Sequence, residues 1–362
     1  MTGGSGRARA RDLGVAPGTL PPGPVNAITD VPGIRVGHAT VIEPASTGHG
    51  EIRTGVTAVV PDALAGRVPG GRRDLPAGLA VYNGFGKLAG ATQIDELGTV
   101  ETPILLTSTL SVFRVADALL SYLRELPAFA QAPSLNPVVA ETNDGYLSDI
   151  WARRITAAHV GAALDSAAAG PVAEGCVGAG TGTRALGFKA GIGTSSRRLP
   201  AVAGSPATVG VLVQANFTGL LTVAGRPVPP PRREPPSAGN SCVIVLATDV
   251  SLDSRTLRRL ANRAFPAMAR TGSDFSGRSG DYALAISTAT AAAPENGAAL
   301  VPAEELDLLF TAAMEATEEA ILNSLCMAQT MAGYQGHISE AVQLPLLSRH
   351  AVSGTPGSRY GS

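Results

Sequence analysis

Residues 226–247 read RPVPPPRREPPSAGNSCVIVLA. Six of the first fifteen are proline, which suits an extended, solvated connector better than a packed element. The following run, Cys242–Ala247, is apolar at every position. Successive residues of a strand face opposite sides, so this strand must be covered on both faces. The stretch therefore predicts a connector that delivers Gly239-Asn240-Ser241 to the start of a central strand. Outward from it, the runs IRVGHATVI (34–42), TGVTAVVP (54–61), GLAVYNGFG (78–86), TVGVLVQANF (208–217) and YALAIST (282–288) predict further strands. Apolar residues at three- and four-residue spacing predict helices over 109–126, 152–169, 254–270 and 302–332. Pro266 marks a kink in the third. Pro302 opens the fourth, Glu304 and Glu305 favour its positive end, and Gly333 closes it. Two-sided strands with amphipathic helices early and late in the chain predict an α/β (α+β) protein, its sheets sandwiched between helices. Residues 1–25 read as a flexible arm and 26–362 as one domain.

The chain has 362 residues, 44% of them hydrophobic, enough to bury a large core. Lys and Arg total 28 against 29 Asp and Glu, a net charge of −1, which speaks against nucleic-acid binding. Three cysteines at wide spacing, Cys176, Cys242 and Cys326, form no disulfide framework. The N-terminus carries arginines but no apolar core of a secretory signal. The longest uncharged stretch, Ala201–Gly225, is broken by Gly, Pro, Asn and Gln, so a soluble cytoplasmic protein without a membrane partner is expected. Gly180-x-Gly182-x-x-Ala185 fits a dinucleotide fingerprint on paper, but the LGFKAGIG that follows cannot start a helix; a glycine-rich hairpin is expected. The five histidines are scattered and no HExxH occurs. No metal or organic cofactor is implied.

Gly239-Asn240-Ser241-Cys242-Val243 nearly matches a nucleophile elbow. An elbow serine ends a strand and opens a helix, whereas Ser241 begins a strand. A cut between Asn240 and Ser241 would instead place the serine hydroxyl beside a free α-amine. With an ordinary pKa of about 8, that amine is a competent base near neutrality. The plain alternative is a serine at the start of a strand. In Ser279-Gly280-Asp281, residues two apart in an extended chain share a face, so Asp281 could orient Ser279; a polar turn is the alternative. Asn216 ends an apolar strand, as an oxyanion donor or a turn former. In Glu141-Thr-Asn-Asp-Gly-Tyr146 a carboxylate suited to a substrate ammonium and a phenol share one segment. Asn143 and Asp144 there also suit an Asx turn. Trp151 reads as core.

From Asn26 onward the chain resembles the family of self-processing L-aminopeptidase/D-Ala-esterase/amidases and β-peptidyl aminopeptidases, which are N-terminal-serine hydrolases. The runs that carry the resemblance include NAITDVPGIRVGHATV, NGFGK, ELGTVETPILLT, ETNDGYLSDI, FKAGIGTSSR, VLVQANF, GNSCVIVLATD and SGRSGDYALAIST. The resemblance implies an αββα sandwich like that of the N-terminal-nucleophile hydrolases. It further implies self-cleavage at Asn240–Ser241 into 1–240 and 241–362, with Ser241 as the nucleophile. It makes Ser279 and Asp281 the companions of Ser241, Asn216 and Tyr146 its oxyanion supports, and Glu141 the binder of the substrate amine. This chain reads Asn216-Phe-Thr-Gly where many relatives have a shorter Asn-aromatic-Gly. The implied substrates are small peptides, amides or esters with a free amine, and the implied assembly is a homotetramer of αβ pairs. An acyltransferase of the ornithine-acetyltransferase kind, or an unprocessed binding protein of the same fold, are the alternatives.

Overall fold

The computed structural model describes residues 6–66, 74–231, 240–289 and 301–349. Two sheets lie face to face between two helical layers. The first contains β1 (Ile34–Glu43), β2 (Ile52–Pro61), β4 (Leu88–Ala89), β6 (Ile104–Ser108) and β7 (Val138–Thr142), in the order β1-β2-β6-β7-β4. The second contains β3 (Leu75–Gly84), β5 (Thr99–Val100), β10 (Ile192–Val202), β11 (Ser205–Asn216), β14 (Ser241–Thr248) and β15 (Gly280–Ser287), in the order β10-β11-β14-β15-β3-β5. β8 (Arg184–Ala185) and β9 (Phe188–Lys189) form the glycine-rich hairpin the sequence predicts, turning through Leu186 and Gly187, both with positive φ.

The alternation along β14 shows why this sequence gives four layers. Val243, Val245 and Ala247 face the core between the sheets, beside Val59, Leu106 and Leu284. Cys242, Ile244 and Leu246 face the opposite core, under α4 (Ser254–Ala261), α5 (Ala264–Thr271) and α6 (Ala303–Cys326). A third core lies between the first sheet and the amphipathic helices α2 (Val112–Arg124) and α3 (Ala157–Asp165). The helix–sheet–sheet–helix order is the expected αββα sandwich. A short helix, α1 (Ala91–Leu97), links β4 to β5. Gln214 fastens the two sheets from the inside: its amide nitrogen donates to Thr142 Oγ1 at 2.8 Å, Ala179 O at 2.9 Å and Thr107 O at 3.2 Å. No described helix is long and apolar enough to cross a membrane.

Several expectations are corrected. The arm is held against the fold from Arg7 onward, and residues 1–5 lie outside the described part. Ala10 and Val15 are buried in the core under α6. Arg7 caps the end of α6, donating to Cys326 O at 2.6 Å and Leu325 O at 3.1 Å. These are carbonyls the last turn leaves without helical partners. Arg197, fully buried, bridges Glu315 and Glu319 of α6, and Arg11 joins Glu319 at 2.8 Å. The last helix ends at Cys326 rather than Ala332, because Met331–Ala332 pair with Ile338–Ser339. The expected 254–270 helix is two helices broken at Asn262–Arg263; Pro266 sits in the first turn of α5, where its missing N–H is no loss. The expected 152–169 helix shortens to α3. Trp151 is 79% exposed and is not core. The proline-rich connector starts as structure: β13 (Arg226–Pro227) pairs with β12 (Thr222–Val223), and Val228 is buried. Its remainder, 232–239, lies outside the described residues.

Candidate active site

Ser241 is the first residue of β14, flanked by β11 and β15. Asn216, the last residue of β11, is its antiparallel partner, and Gly280, the first of β15, is its parallel one. Ser241 is 2% exposed, and its Oγ accepts a hydrogen bond from the Asn143 backbone N–H at 3.0 Å. The apolar β14 run thus fixes the serine at the end of the central strand.

Asn216 is buried, its Oδ1 accepting from Arg184 N at 3.1 Å. Its amide nitrogen donates to Asn143 O at 3.0 Å, so it grips the residue whose N–H meets the Ser241 hydroxyl. Asn143 is held a third way by the expected Asx turn, its Oδ1 accepting from Gly145 N at 3.0 Å. Beside it, Asp144 is buried and accepts from Ser108 Oγ at 2.7 Å; burial pushes its carboxyl up to about 6.

On the other flank, Ser279 Oγ donates to Asp281 Oδ1 at 2.7 Å, the contact that the i, i+2 spacing predicts. Asp281 Oδ2 accepts from Asn83 Nδ2 at 2.8 Å. Burial raises the Asp281 carboxyl, and the Ser279 and Asn83 hydrogen bonds pull it back. Asn83 reaches this carboxylate because β3 pairs with β15, placing it opposite Asp281.

Glu141, on β7, is 2% exposed. Its Oε1 accepts from the Lys87 backbone N–H at 3.1 Å and lies 3.5 Å from Lys87 Nζ. Its Oε2 has no hydrogen-bond partner among the described residues, although it is buried. Burial raises the carboxyl, against the Lys87 charge and a hydrogen bond from the Thr109 hydroxyl. Gly86 passes close to this carboxylate: a Cβ there would stand 2.8 Å from the Tyr282 hydroxyl and 3.2 Å from Glu141 Oε1. A buried carboxylate whose second oxygen lacks a direct hydrogen bond is suited to a cationic group that brings its own donors.

Tyr146 follows the Asn143 turn. Its ring is stacked on His337, centroids 4.3 Å apart, and the Arg184 guanidinium lies 3.9 Å from its centre. His337 Nδ1 also donates to Tyr146 O at 2.8 Å. Asn240 precedes the strand with its carboxamide held by Thr218.

The sequence-predicted residues therefore gather on β14, its two flanking strands and the β7 end. Asn83, Lys87 and Asn143 were not singled out from the sequence as functional. NGFGK and ETNDGY contained them, but only long-range pairing gives them roles. Among the described residues no group of three or more His, Cys, Asp or Glu side chains is placed to hold a metal ion.

Comparison with known proteins bears on this geometry. The profile of peptidase family S58 matches residues 26–339. The chain is 40% identical over 358 residues to β-peptidyl aminopeptidase BapA of Sphingosinicella microcystinivorans, spanning 91% of this chain and 88% of that one. Its fold is similar to a Burkholderia sp. β-aminopeptidase, with TM-score 0.83 and 40% identity over 96% of this chain and 100% of the other. It is also similar to the L-aminopeptidase D-Ala-esterase/amidase of Ochrobactrum anthropi, a serine aminopeptidase with a variant of the Ntn hydrolase fold. That match has TM-score 0.84 and 36% identity, covering 94% of this chain and 97% of the other.

Proposed function

Because this chain belongs to peptidase family S58, we propose that it is a self-processing aminopeptidase whose nucleophile is Ser241. It removes the N-terminal residue from short peptides, amides or esters. The supporting observation is the position of Ser241: its Oγ meets the Asn143 N–H at 3.0 Å, between Asn216 on one strand and the Ser279–Asp281 pair beside the other.

In the single chain, Ser241 Oγ attacks the Asn240 carbonyl carbon. The C–N bond breaks, the nitrogen takes the hydroxyl proton, and water hydrolyses the resulting ester. The freed α-amine then sits on the nucleophile's own residue and accepts its proton in each later turnover. Ser279, oriented by Asp281 and Asn83, offers a hydroxyl next to that amine. As the oxyanion develops, the Asn216 carboxamide is its donor, while the Asn143 N–H holds the Ser241 Oγ. Tyr146, held between His337 and Arg184, contributes its hydroxyl. Glu141 Oε2 takes the substrate ammonium, restricting attack to the first residue of a chain. The β-aminopeptidase names of the relatives make β-amino-acid N-termini part of the proposal, as is a cytoplasmic homotetramer of processed pairs.

A panel of α- and β-aminoacyl p-nitroanilides, assayed with wild type and Ser241→Ala, tests the reading. Release of the free amino acid by wild type alone supports it. Equal turnover by Ser241→Ala overturns it, as does acyl transfer to an added amine in preference to water.

A further inference from the structure

We propose that Thr218 and Asp274 form a positioning relay that holds Asn240 for self-cleavage, an inference that rests on the cleavage reading above. Both ends of the Asn240 carboxamide engage one residue. Thr218 N donates to Asn240 Oδ1 at 3.0 Å, and Asn240 Nδ2 donates to Thr218 Oγ1 at 3.1 Å. Thr218 Oγ1 in turn donates to Asp274 Oδ1 at 2.8 Å and Oδ2 at 2.9 Å. A carboxylate only accepts, so Asp274 draws the hydroxyl hydrogen to its own side and leaves an oxygen lone pair for the Asn240 N–H. The direction of the relay is fixed.

The relay is also anchored. Asp274 N donates to Thr218 O at 3.2 Å, and Leu220 N donates to Gly272 O at 3.0 Å. Asp274 Oδ1 accepts from Ser276 N at 3.1 Å, in the loop that leads to Ser279. The residue on the acyl side of the scissile bond is therefore fastened to the loop that carries the nucleophile's companions. Thr218 lies two residues beyond Asn216, the strand partner of Ser241.

Two chemistries can break the Asn240–Ser241 bond. In the serine route, the Oγ–C bond forms, the C–N bond breaks, and one water is consumed to leave a carboxylate on Asn240. In the other, Asn240 Nδ2 attacks its own carbonyl carbon and the same C–N bond breaks. The nitrogen of Ser241 takes the proton lost by Nδ2, and the fragment ends in a succinimide lighter by one water. Thr218 occupies both heteroatoms of the carboxamide and keeps Asn240 on the serine route.

The test is the conversion rate of full-length wild type, Thr218→Val, Thr218→Ser and Asp274→Ala, produced cell-free and followed by denaturing electrophoresis and intact mass. Thr218→Val and Asp274→Ala should convert about tenfold more slowly or worse. Thr218→Ser should stay within about threefold of wild type, since it keeps the relay's hydroxyl. Amide hydrolysis per cleaved molecule should be unchanged in Thr218→Val. The wild-type 1–240 fragment should carry a carboxylate. Melting of Thr218→Val in the Ser241→Ala background shows whether the fold is intact, and Asp274→Ala decides if it is not. Conversion of Thr218→Val at the wild-type rate overturns the relay alone, as does a Thr218→Ser chain as slow as Thr218→Val; a wild-type fragment lighter by one water overturns the serine route of cleavage and the relay together. A wild-type chain that never converts removes the cleavage reading and the relay with it.

Discussion

Glu141→Gln isolates the amine-binding role. Gln keeps the shape of the side chain and an oxygen to accept the Lys87 N–H that reaches Oε1 at 3.1 Å. It removes the charge at Oε2, the buried oxygen without a direct hydrogen bond among the described residues. A hydrogen bond to a charged group contributes about 1.5–3 kcal/mol. At 1.36 kcal/mol per tenfold, kcat/KM on amino-acyl anilides with a free amine should fall about 10- to 150-fold. The same variant should hydrolyse N-blocked esters within about threefold of wild type, because they present no ammonium to lose. The pH dependence follows the same logic. Burial holds the Glu141 carboxyl above its ordinary value, and only the ionised form pairs with an ammonium. KM for free-amine substrates should therefore rise as pH falls through that raised pKa, and the rise should vanish in Glu141→Gln. Equal losses on blocked and unblocked substrates, or an unchanged KM profile, would refute ammonium capture.

Asn83→Ala withdraws the donor 2.8 Å from Asp281 Oδ2, so the Asp281 carboxyl should rise further; kcat should drop about tenfold or more, with the acid limb of its pH profile displaced upward. An unmoved profile would deny Asn83 its positioning role. Burial pushes the His38 pKa from 6.5 down to about 4, against a backbone hydrogen bond to Ala173. The unfolded chain therefore binds the proton first: stability is intact above pH 6.5 and declines as pH falls towards about 4, by about 3 kcal/mol in all. Urea titrations of His38→Gln should show a flatter acid decline than wild type. Glu319→Gln leaves the fully buried Arg197 short of a charge partner at 2.8 Å, which should cost about 3–5 kcal/mol in chemical denaturation; a change below about 1 kcal/mol would remove the arm's ionic network as a source of stability.

What the sequence reveals divides by range. Cys242–Ala247 announces a two-sided strand because both periodic faces are apolar, and Ser279-Gly280-Asp281 announces its contact because two residues of extended chain suffice to make it. Sheets sandwiched between helices follow from such strands and from the stripes of α2 and α6, and the αββα order from the family resemblance. The arm misleads because its signal is polar: Arg7, Arg9 and Arg11 look solvated, yet their partners are helix-end carbonyls and carboxylates about three hundred positions or more away for Arg7 and Arg11. Apolar spacing over 327–332 overstates the last helix, because Met331–Ala332 find a strand partner instead. Trp151 shows that a large aromatic ring is no proof of burial. Asn83, Lys87 and Asn143 become functional candidates only through the β3–β15 pairing, the Glu141 contact and the Asn216 grip. None of these contacts has a local sequence signature.

Intact mass and N-terminal sequencing of the purified enzyme, beside Ser241→Ala, test the central claim most directly. Wild type should separate into 1–240 and a second fragment whose sequence begins Ser-Cys-Val-Ile, while Ser241→Ala remains one inactive chain of 36.6 kDa. Hydrolysis by wild-type molecules whose Asn240–Ser241 bond is whole, or two fragments from Ser241→Ala, would contradict it.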